Sequence, residues 1–262
     1  MDETKKITPE EFKDIAAGKM FSLRLLSKDY HITLALYLLK DVKNIYFKGG
    51  TALQKIFLDY SRLSEDIDFT VTKNIEGIKK GITRILGESK TFDKITKGKD
   101  VKGFTRLILH YDDFDGKPDT LFIDLNKRAK LLLKPENHLI KHFYKGFIPE
   151  FTFSTLSRDE MIAEKISAAI CRNKPRDHYD IYHILKKKIP INMKLVEKKC
   201  KQSGREFSII NMFKQAQKLK NRWDEDTGAL ITEDITFEGI MKTLAKHFRL
   251  KEEKEKLRKN NI

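Results

Sequence analysis

The chain has 262 residues, 40% of them hydrophobic and 35% charged, so it can bury one large core or two smaller ones. Its formal net charge is +15, and residues 127–220 hold most of the excess, with 22 Lys and Arg against 9 Asp and Glu. The two cysteines are far apart in the sequence, which argues against a disulfide framework or a zinc knuckle. No apolar run approaches the length of a membrane span and no signal segment is evident, so we expect a soluble, cytoplasmic protein.

The basic excess indicates the kind of partner that the chain could bind. A surface with this much positive charge attracts polyanions, and RNA is the natural example. A lysine-rich surface that only keeps the protein soluble, or the Lys- and Glu-rich composition of a heat-stable protein, would give the same numbers. Composition alone therefore leaves both interpretations open.

Two helices are predicted before the first strand. Residues 8–11 form a capping box with Pro9 at the first helical position, so a short helix should reach about Ala17. A second helix should begin with Ser27 as its cap, because an apolar face with helical spacing follows this residue. That face consists of Tyr30, Leu34 and Leu38, with Ala35 and Leu39 beside them.

The stretch 44–71 has the strongest functional pattern in the chain. An apolar run over residues 44–48 predicts a buried strand, and Gly49, Gly50 and Thr51 then open a segment with helical periodicity. A strand that turns through glycines into a helix leaves backbone N–H groups unpaired, and these groups together with the helix dipole favour phosphate. A Gly-Gly turn with a purely structural role is the alternative.

The same stretch ends in a strand that carries two carboxylates. Alternate side chains of a strand share a face, so Asp66 and Asp68 should lie on one side, and Ile67 and Phe69 on the other. Two neighbouring carboxylates repel each other unless a cation lies between them, and hard oxygen ligands suit Mg²⁺. A solvent-facing sheet surface would show the same alternation.

A hairpin with a third carboxylate is predicted next. After a polar region over residues 73–102, which includes a helix at 75–86, two strands at 104–111 and 119–125 should pair through a long turn. Asp124 is an isolated carboxylate in the second of these strands. Because burial without a partner would cost several kcal/mol, we expect Asp124 to be paired, to bind a metal or to lie at an exposed strand end.

The C-terminal half is predicted to be mainly helical. One further strand is expected at 151–155, and a soft domain boundary is expected at 132–137. The chain should close with helices at 206–220 and 233–248, and the simplest place for Trp223 is the core between them.

The helix predicted over residues 157–171 begins with a capping box and has two distinct faces. Its apolar face should hold Ile162, Ile166 and Ile170. Its other face has cations at seven-residue spacing, typical either of a solvated surface or of a path for phosphates: Arg158, Lys165 and Arg172. Pro175 and Asp177 should begin the next helix, and His178 and His183 are expected to be incidental surface residues.

The segments FKGGTAL and RLSEDIDF resemble the first motif of the AbiEii/AbiGii-type nucleotidyltransferase toxins, a branch of the polymerase-β-like nucleotidyltransferase superfamily. The superfamily pattern has serine after the glycine and a shorter spacer before its two aspartates. This chain has Thr51 at the serine position, which keeps the hydroxyl, and fourteen residues between Thr51 and Asp66. The phrase SEDIDF is similar to this particular branch of the superfamily.

Two later segments extend the resemblance. MIAEKI is similar to the family's A-E-K helix, which implies that Lys165 serves the nucleotide phosphates. RDHYDI is similar to the family's last motif, with Asp177 and Asp180 as its acids, and there Asp177 would position or deprotonate the acceptor hydroxyl. The resemblance covers about residues 44–185.

The resemblance implies an α/β (α+β) fold. A small mixed β-sheet nucleotidyltransferase core with flanking helices, over residues 1–132, would be followed by a mainly helical subdomain over 133–262 that completes the active-site cleft. The implied chemistry is Mg²⁺-dependent transfer of a nucleotide from an NTP, with two Mg²⁺ ions held by Asp66, Asp68 and Asp124. The implied nucleotide-binding residues are Lys48, Gly49, Gly50, Thr51, Ser64 and Lys165.

The acceptor of the nucleotide stays open at this point. RNA fits the basic excess, and the tRNA 3′ end is the first choice because several relatives modify it. The family also implies a toxin of a type IV toxin–antitoxin system with a cognate antitoxin. Two alternatives remain, namely transfer to a protein or small-molecule hydroxyl, and a nucleic-acid-binding protein that keeps the scaffold without turnover.

Overall fold

The computed structural model describes residues 4–172 and 174–259. The chain divides into two compact units, of which unit 1 ends at Ser157 and unit 2 begins at Arg158. The boundary expected at 132–137 falls inside unit 1, because two short strands that follow it belong to the sheet of that unit. Within the described residues, no helix has both the length and the apolarity needed to cross a membrane.

Unit 1 is built on a mixed sheet of seven strands in the order β3-β4-β5-β2-β1-β7-β6. The β2–β5 and β1–β7 pairs are parallel, and the other neighbouring pairs are antiparallel. This architecture confirms the predicted fold class. The strands are β1 Ile45–Lys48, β2 Asp66–Val71, β3 Lys94–Val101, β4 Phe104–Asp112, β5 Pro118–Asn126, β6 Glu136–Leu139 and β7 Thr152–Thr155.

Two of these strands, β3 and β6, were not predicted from the sequence. They are the outer strands of the sheet, and β3 has the sequence KITKGKDV, in which lysines replace the apolar alternation of a half-buried strand. Edge strands commonly carry lysine, because charge protects an unpaired edge from association. Because of these lysines, residues 73–102 were predicted to be a polar region without a strand.

The helices of unit 1 are α1 Pro9–Ala17, α2 Leu23–Leu39, α3 Gly49–Ile56 and α4 Ile75–Glu88. The capping box at residues 8–11 is confirmed, since the backbone of Thr8 donates to Glu11 and the backbone of Glu11 donates to the Thr8 hydroxyl. The prediction of Ser27 as the cap of α2 is wrong. Ser22 caps α2 five residues earlier, because its hydroxyl accepts from the Leu25 N–H and good helix formers follow it.

The alternation predicted for the central strands is confirmed. Ile67 and Phe69 of β2, with Ile123 and Leu125 of β5, are fully buried on one face of the sheet. This burial fixes the register of the strands, because a slip of one residue would turn the apolar side chains to the opposite face. The opposite face of these strands therefore carries the intervening polar residues at fixed positions.

Unit 2 is helical, as predicted. The buried face of its first helix holds Ile162, Ile166 and Ile170, and Trp223 is buried between Tyr179 and Phe237. The elements are α5 Arg158–Cys171, α6 Pro175–Lys186, α7 Met193–Gln202, a 3₁₀ helix Ile209–Phe213, α8 Ala216–Asn221, α9 Trp223–Thr227, α10 Phe237–His247 and α11 Leu250–Lys259.

Three predictions for unit 2 are corrected by these elements. The helix expected at 206–220 is a 3₁₀ helix followed by the short α8, and the helix expected at 233–248 begins at Phe237 with Thr236 as its cap. His178 and His183 are buried rather than on the surface. They lie on the inner face of α6, where His178 Nε2 is 2.9 Å from the Met212 carbonyl oxygen and His183 Nε2 is 3.1 Å from Glu233 Oε2.

Candidate active site

Four charged residues occupy matched positions on four neighbouring strands of unit 1. Asp68 on β2 pairs with Lys48 on β1 and with Asp124 on β5, and Asp124 in turn pairs with Arg106 on β4. Residues paired in a sheet point to the same face, so these side chains form one line across the sheet, here named the charged row. Asp66 lies on the same face two residues before Asp68. The structure thus brings together the three predicted carboxylates.

Asp124 is paired with Arg106 by two short hydrogen bonds. Arg106 Nε donates to Asp124 Oδ1 and Arg106 Nη2 donates to Asp124 Oδ2, both at 2.7 Å. The guanidinium group also lies 4.7 Å from the centre of the Phe122 ring. The hydrogen bond to Asp124 is the main reason why the pKa of Arg106 is raised, and the charges of Asp66 and Asp68 act in the same direction. Of the three arrangements expected for Asp124, pairing is the one observed.

Gly49, the first of the two glycines that follow β1, lies against the charged row. We name residues 48–51, which connect β1 to α3, the glycine elbow. Gly49 has φ +80°, a conformation that favours glycine, and a Cβ at this position would collide with Asp68 Oδ2. Lys48 is the N-cap residue of α3 and forms no side-chain cap to it. The backbone N–H groups of the first turn therefore begin directly beside the carboxylate of Asp68.

Two side chains approach Gly50 from the segment before β2. A Cβ on Gly50 would lie 2.8 Å from Arg62 Nη2 and 3.2 Å from Ser64 Oγ. Arg62 is buried, and its Nη1 donates to the Leu63 carbonyl oxygen at 2.8 Å. Sequence reasoning selected Ser64 but missed Arg62. Its place two residues before Ser64, in the same RLSED segment, was the available signal.

Thr51 forms a hydrogen bond within the motif. Its side chain is buried, and its hydroxyl donates a hydrogen bond to the backbone carbonyl of Asp66. The hydroxyl thus connects the glycine elbow to the beginning of β2. Thr51 holds the two halves of the motif together, and the longer spacer between them is accommodated by the loop that includes Arg62 and Ser64.

Unit 2 has a second cluster of predicted site residues, here named the Lys165 cluster. Lys165 Nζ lies 2.9 Å from Asp177 Oδ1 and 2.8 Å from Asp180 Oδ2, and all three side chains are buried. Arg172 adds two hydrogen bonds to Asp177, at 3.0 and 3.2 Å. The expected stripe of three cations is therefore not uniform, because Lys165 is enclosed by carboxylates while Arg158 pairs with Asp159 at the surface.

Asp177 is held in its ionised form. Burial alone would raise the pKa of Asp177, but the charges of Lys165 and Arg172 and their hydrogen bonds lower it below the ordinary value. A carboxylate with a depressed pKa is a weak general base. Of the two roles that the resemblance implies for Asp177, positioning a hydroxyl suits this environment better than deprotonating it.

The carboxylates of unit 1 have the right chemistry for a divalent cation. Asp66 and Asp68 present hard oxygen donors on one face of a rigid strand, with Asp124 in register beside Asp68. As placed, no group of three or more His, Cys, Asp or Glu residues within 4–172 and 174–259 has the proximity of a metal site. Both oxygens of Asp124 accept hydrogen bonds from Arg106. The donor set of Asp66, Asp68 and Asp124 is chemically suited to Mg²⁺.

A mixed sheet with a glycine elbow against paired aspartates is the arrangement of a nucleotidyltransferase. A family model for the nucleotidyl transferase AbiEii toxin of type IV toxin–antitoxin systems matches residues 35–249. The chain therefore belongs to the AbiEii family and is a nucleotidyltransferase.

Two solved structures have a similar fold. JHP933 from Helicobacter pylori is 19% identical with a TM-score of 0.56, and the match covers 92% of this chain and 100% of that protein. MenT4, a nucleotidyltransferase toxin from Mycobacterium tuberculosis H37Rv, is 19% identical with a TM-score of 0.60, covering 87% of this chain and 75% of MenT4. A comparison with curated proteins gives no match. At these identities the structural likeness concerns the fold.

Proposed function

We propose that this AbiEii-family enzyme uses Mg²⁺ to transfer a nucleotide from an NTP to RNA, with the tRNA 3′ end as the first candidate acceptor. The observation that supports this proposal most directly is the contact between the glycine elbow and the charged row, where Asp68 lies against Gly49. A phosphate group at the elbow would be next to the carboxylates that bind its counter-ion.

Different residues of unit 1 would bind the phosphates of the nucleotide, fix the position of the glycine elbow and hold the metal ion. The backbone N–H groups of Gly49 and Gly50, with the Ser64 hydroxyl and the Lys48 ammonium group, would bind phosphate oxygens. Thr51 would keep the elbow at a fixed position relative to Asp66 through its hydrogen bond to that backbone. Asp66, Asp68 and Asp124 would hold Mg²⁺, which supplies charge neutralisation and activation of the attacking hydroxyl when it is bound.

Lys165 and Asp177 are proposed to contribute to nucleotide transfer, as the resemblance of their segments to the family's motifs implies. Lys165 would stabilise negative charge on the nucleotide phosphates, and Asp177 would position the acceptor hydroxyl. Because Lys165 already contacts two carboxylates, it would act as part of the Lys165 cluster rather than as a single cation. This assignment predicts that Asp177→Asn lowers the affinity for acceptor or the rate of transfer even where the variant remains folded.

RNA is favoured as the acceptor by charge. The segment 127–220 has an excess of 13 positive charges, from 22 Lys and Arg against 9 Asp and Glu, and exposed lysines bind the phosphates of RNA without base preference. Membership of a type IV toxin–antitoxin family supports a toxin role with an antitoxin as a further partner.

The test is a labelling experiment. The purified protein is incubated separately with each labelled NTP, Mg²⁺ and total tRNA, and the label is followed on RNA, protein and small molecules. Label on RNA that disappears on chelation of Mg²⁺ is expected. Label on protein or on a small molecule would favour the alternative acceptors. Absence of label together with salt-sensitive RNA binding would instead indicate a binding protein on the same scaffold.

The two carboxylates of β2 have a matched control. Asp66→Asn and Asp68→Asn remove one negative charge each without changing side-chain shape, and Asp41→Asn makes the same change at an exposed residue that pairs only loosely with Lys40. Transfer by the Asp41→Asn variant should equal that of the wild type. Full activity in both the Asp66→Asn and Asp68→Asn variants would exclude the proposed site.

A further inference from the structure

Arg106 holds a position in unit 1 that the proposed function leaves without a role. We propose that Arg106 is a positioning residue of the metal site, which serves as the counter-cation of Asp124 in the metal-free protein and releases this carboxylate when a divalent ion binds. This inference rests on the proposed function, because it requires that Asp66 and Asp68 bind the ion. In this proposal the carboxylates of the charged row are neutralised either by Arg106 or by a divalent ion from solution.

The first support is that the pair satisfies Asp124 completely. Both carboxylate oxygens accept a 2.7 Å hydrogen bond from the same guanidinium group. The Asp124 side chain is only 11% exposed, so water cannot replace a lost partner easily. A carboxylate in this environment needs a cation at all times, and Arg106 supplies one as long as no metal is present.

The second support is the balance of charge on this face of the sheet. Asp66, Asp68 and Asp124 occupy neighbouring positions on this face, where their negative charges repel one another unless positive charge is close. Arg106 is the strand partner of Asp124, which in turn is the strand partner of Asp68, so the guanidinium group lies on the face that carries these carboxylates. The guanidinium group therefore lies in the field of all three carboxylates, which is the field that a divalent cation would neutralise.

The third support is that the head of Arg106 can leave while its stem stays in place. The stem passes over Gly98, in a bulged part of β3 where the register shifts between Lys97 and Asp100, and a Cβ on Gly98 would lie 3.2 Å from Arg106 Cγ. The side chain as a whole is 34% exposed, far more than that of Asp124. Rotation about the last side-chain torsions can therefore bring the guanidinium group into solvent without a change in the backbone.

If Arg106 and the metal compete for Asp124, removal of Arg106 should raise the affinity of the protein for a divalent ion. Binding of Mn²⁺, as a spectroscopic substitute for Mg²⁺, is titrated by electron paramagnetic resonance with the full-length wild type and with Arg106→Ala. Loss of the competing cation should tighten Mn²⁺ binding by about fivefold, the size of one partly exposed ion pair. Arg106→Lys, which keeps the charge but loses the two-pronged geometry, should bind Mn²⁺ with an intermediate dissociation constant.

Two controls separate this effect from general electrostatics and from instability. Arg128→Ala removes one positive charge just beyond β5, where Arg128 donates to the Lys102 carbonyl oxygen and not to a carboxylate, and it should leave Mn²⁺ binding unchanged. Gly98→Ala crowds the stem of Arg106 and keeps its charge. Weakening of the Arg106–Asp124 pair in that variant should also tighten Mn²⁺ binding, which provides a second measurement if Arg106→Ala does not fold.

The outcomes distinguish the inference from the function on which it rests. If the wild type binds Mn²⁺ and Asp68→Asn does not, but the Arg106 and Gly98 variants bind it with unchanged or weaker affinity, then the proposed role of Arg106 is wrong while the metal site stands. If the wild type binds no Mn²⁺ at this site, both proposals fail. Tighter binding in the folded Arg106 and Gly98 variants, with Arg128→Ala unchanged, supports the inference.

Discussion

Asp68 of β2 and Asp124 of β5 are direct partners in a parallel strand pair, although they are far apart in the sequence. Parallel pairing places their carboxylates on the same face at adjacent positions, so neither can be moved without changing the other's surroundings. The fold itself therefore maintains a concentration of negative charge that only a cation can stabilise. The predictions below concern this charge, the glycine elbow next to it and the buried ionisable groups of the two units.

Replacing the carboxylates of β2 should remove activity without unfolding the protein. Asp66→Asn and Asp68→Asn should each lower nucleotide transfer at least about a hundredfold, because metal-ion catalysis contributes several kcal/mol to the transition state. The free energy of unfolding should change by less than about 1 kcal/mol, since both residues lie on the polar face. Transfer assays and urea denaturation measure the two quantities, and a variant that loses stability and activity together would not support the prediction.

Gly49→Ala should destabilise the protein through backbone strain and through a clash with Asp68. A second glycine, which has the strain without the clash, allows the two effects to be measured separately. Gly49 has φ +80° and no room for a Cβ beside Asp68, whereas Gly116 has φ +73° and open space around it. Gly116→Ala should therefore cost only the backbone strain, about 1–2 kcal/mol, and keep full activity. Gly49→Ala should cost about 1–3 kcal/mol more and abolish nucleotide binding. Equal effects of the two substitutions on stability and activity would contradict this expectation.

The Lys165 cluster should make unit 2 sensitive to acid in a defined range. The pKa of Asp177 is lower in the folded protein than in the unfolded chain, so the ionised carboxylate stabilises the fold above the unfolded pKa of about 4. That contribution is lost as the pH falls through the folded value. Asp177→Asn should therefore lower the free energy of unfolding by about 3 kcal/mol at pH 7, and the difference from the wild type should narrow below about pH 4.

An exposed aspartate of the same unit is the control for Asp177. Asp159 pairs with Arg158 at the surface, and both side chains are largely exposed. Asp159→Asn should change the free energy of unfolding by less than about 1 kcal/mol at any pH. Denaturant titrations of the two variants and the wild type, at a series of pH values from 7 to 3.5, provide the comparison.

His31 should contribute to acid instability of unit 1 at a higher pH. Its ring is stacked on Tyr111 at 3.9 Å, and burial is the main reason why its pKa falls to about 4. His31 is protonated more easily in the unfolded chain than in the folded protein. The stability that its neutral ring contributes is therefore fully present above pH 6.5 and is lost as the pH falls towards 4. His31→Gln should flatten this decline by up to about 3 kcal/mol.

In the His31→Gln variant, the loss of stability between pH 6.5 and 4 should be reduced rather than abolished. His142, also in unit 1, has a pKa lowered to about 4 by burial and by the charge of Lys55. A second substitution, His142→Gln, should flatten the remaining dependence on pH between 6.5 and 4. If both variants keep the full pH dependence of the wild type, the histidines do not cause it.

The features that the sequence predicted correctly are those with a local signal. The capping box, the apolar alternation of β2 and β5 and the glycine elbow each lie within a few neighbouring residues, where periodicity and turn chemistry act. The prediction of Ser27 as a cap failed at the same local level, because Ser22 offered an equivalent signal. The outer strand β3 was not predicted, because lysines occupy positions where a half-buried strand would carry apolar residues.

The missed features depend on which segments pair. Arg106 faces Asp124 because the hairpin pairs Asp112 with Pro118, and the same register continues along both strands. Counting outward from the turn would have found the pair. For Arg62 the only signal was its place beside Ser64 in the RLSED segment, and the burial of His178 had none, since both features arise from the packing of segments whose arrangement the periodicity does not contain.

The central position of β2 has an evolutionary consequence. Its aspartates alternate with fully buried Ile67 and Phe69, and strands pair with it on both sides. Sliding β2 by one residue would exchange its buried face and the face that carries the aspartates at once, so a lineage cannot lose this geometry gradually while it keeps a stable fold. Inactive descendants should instead preserve the backbone and differ by replacement of individual acids, which would leave inert copies that are still recognisable by their shape.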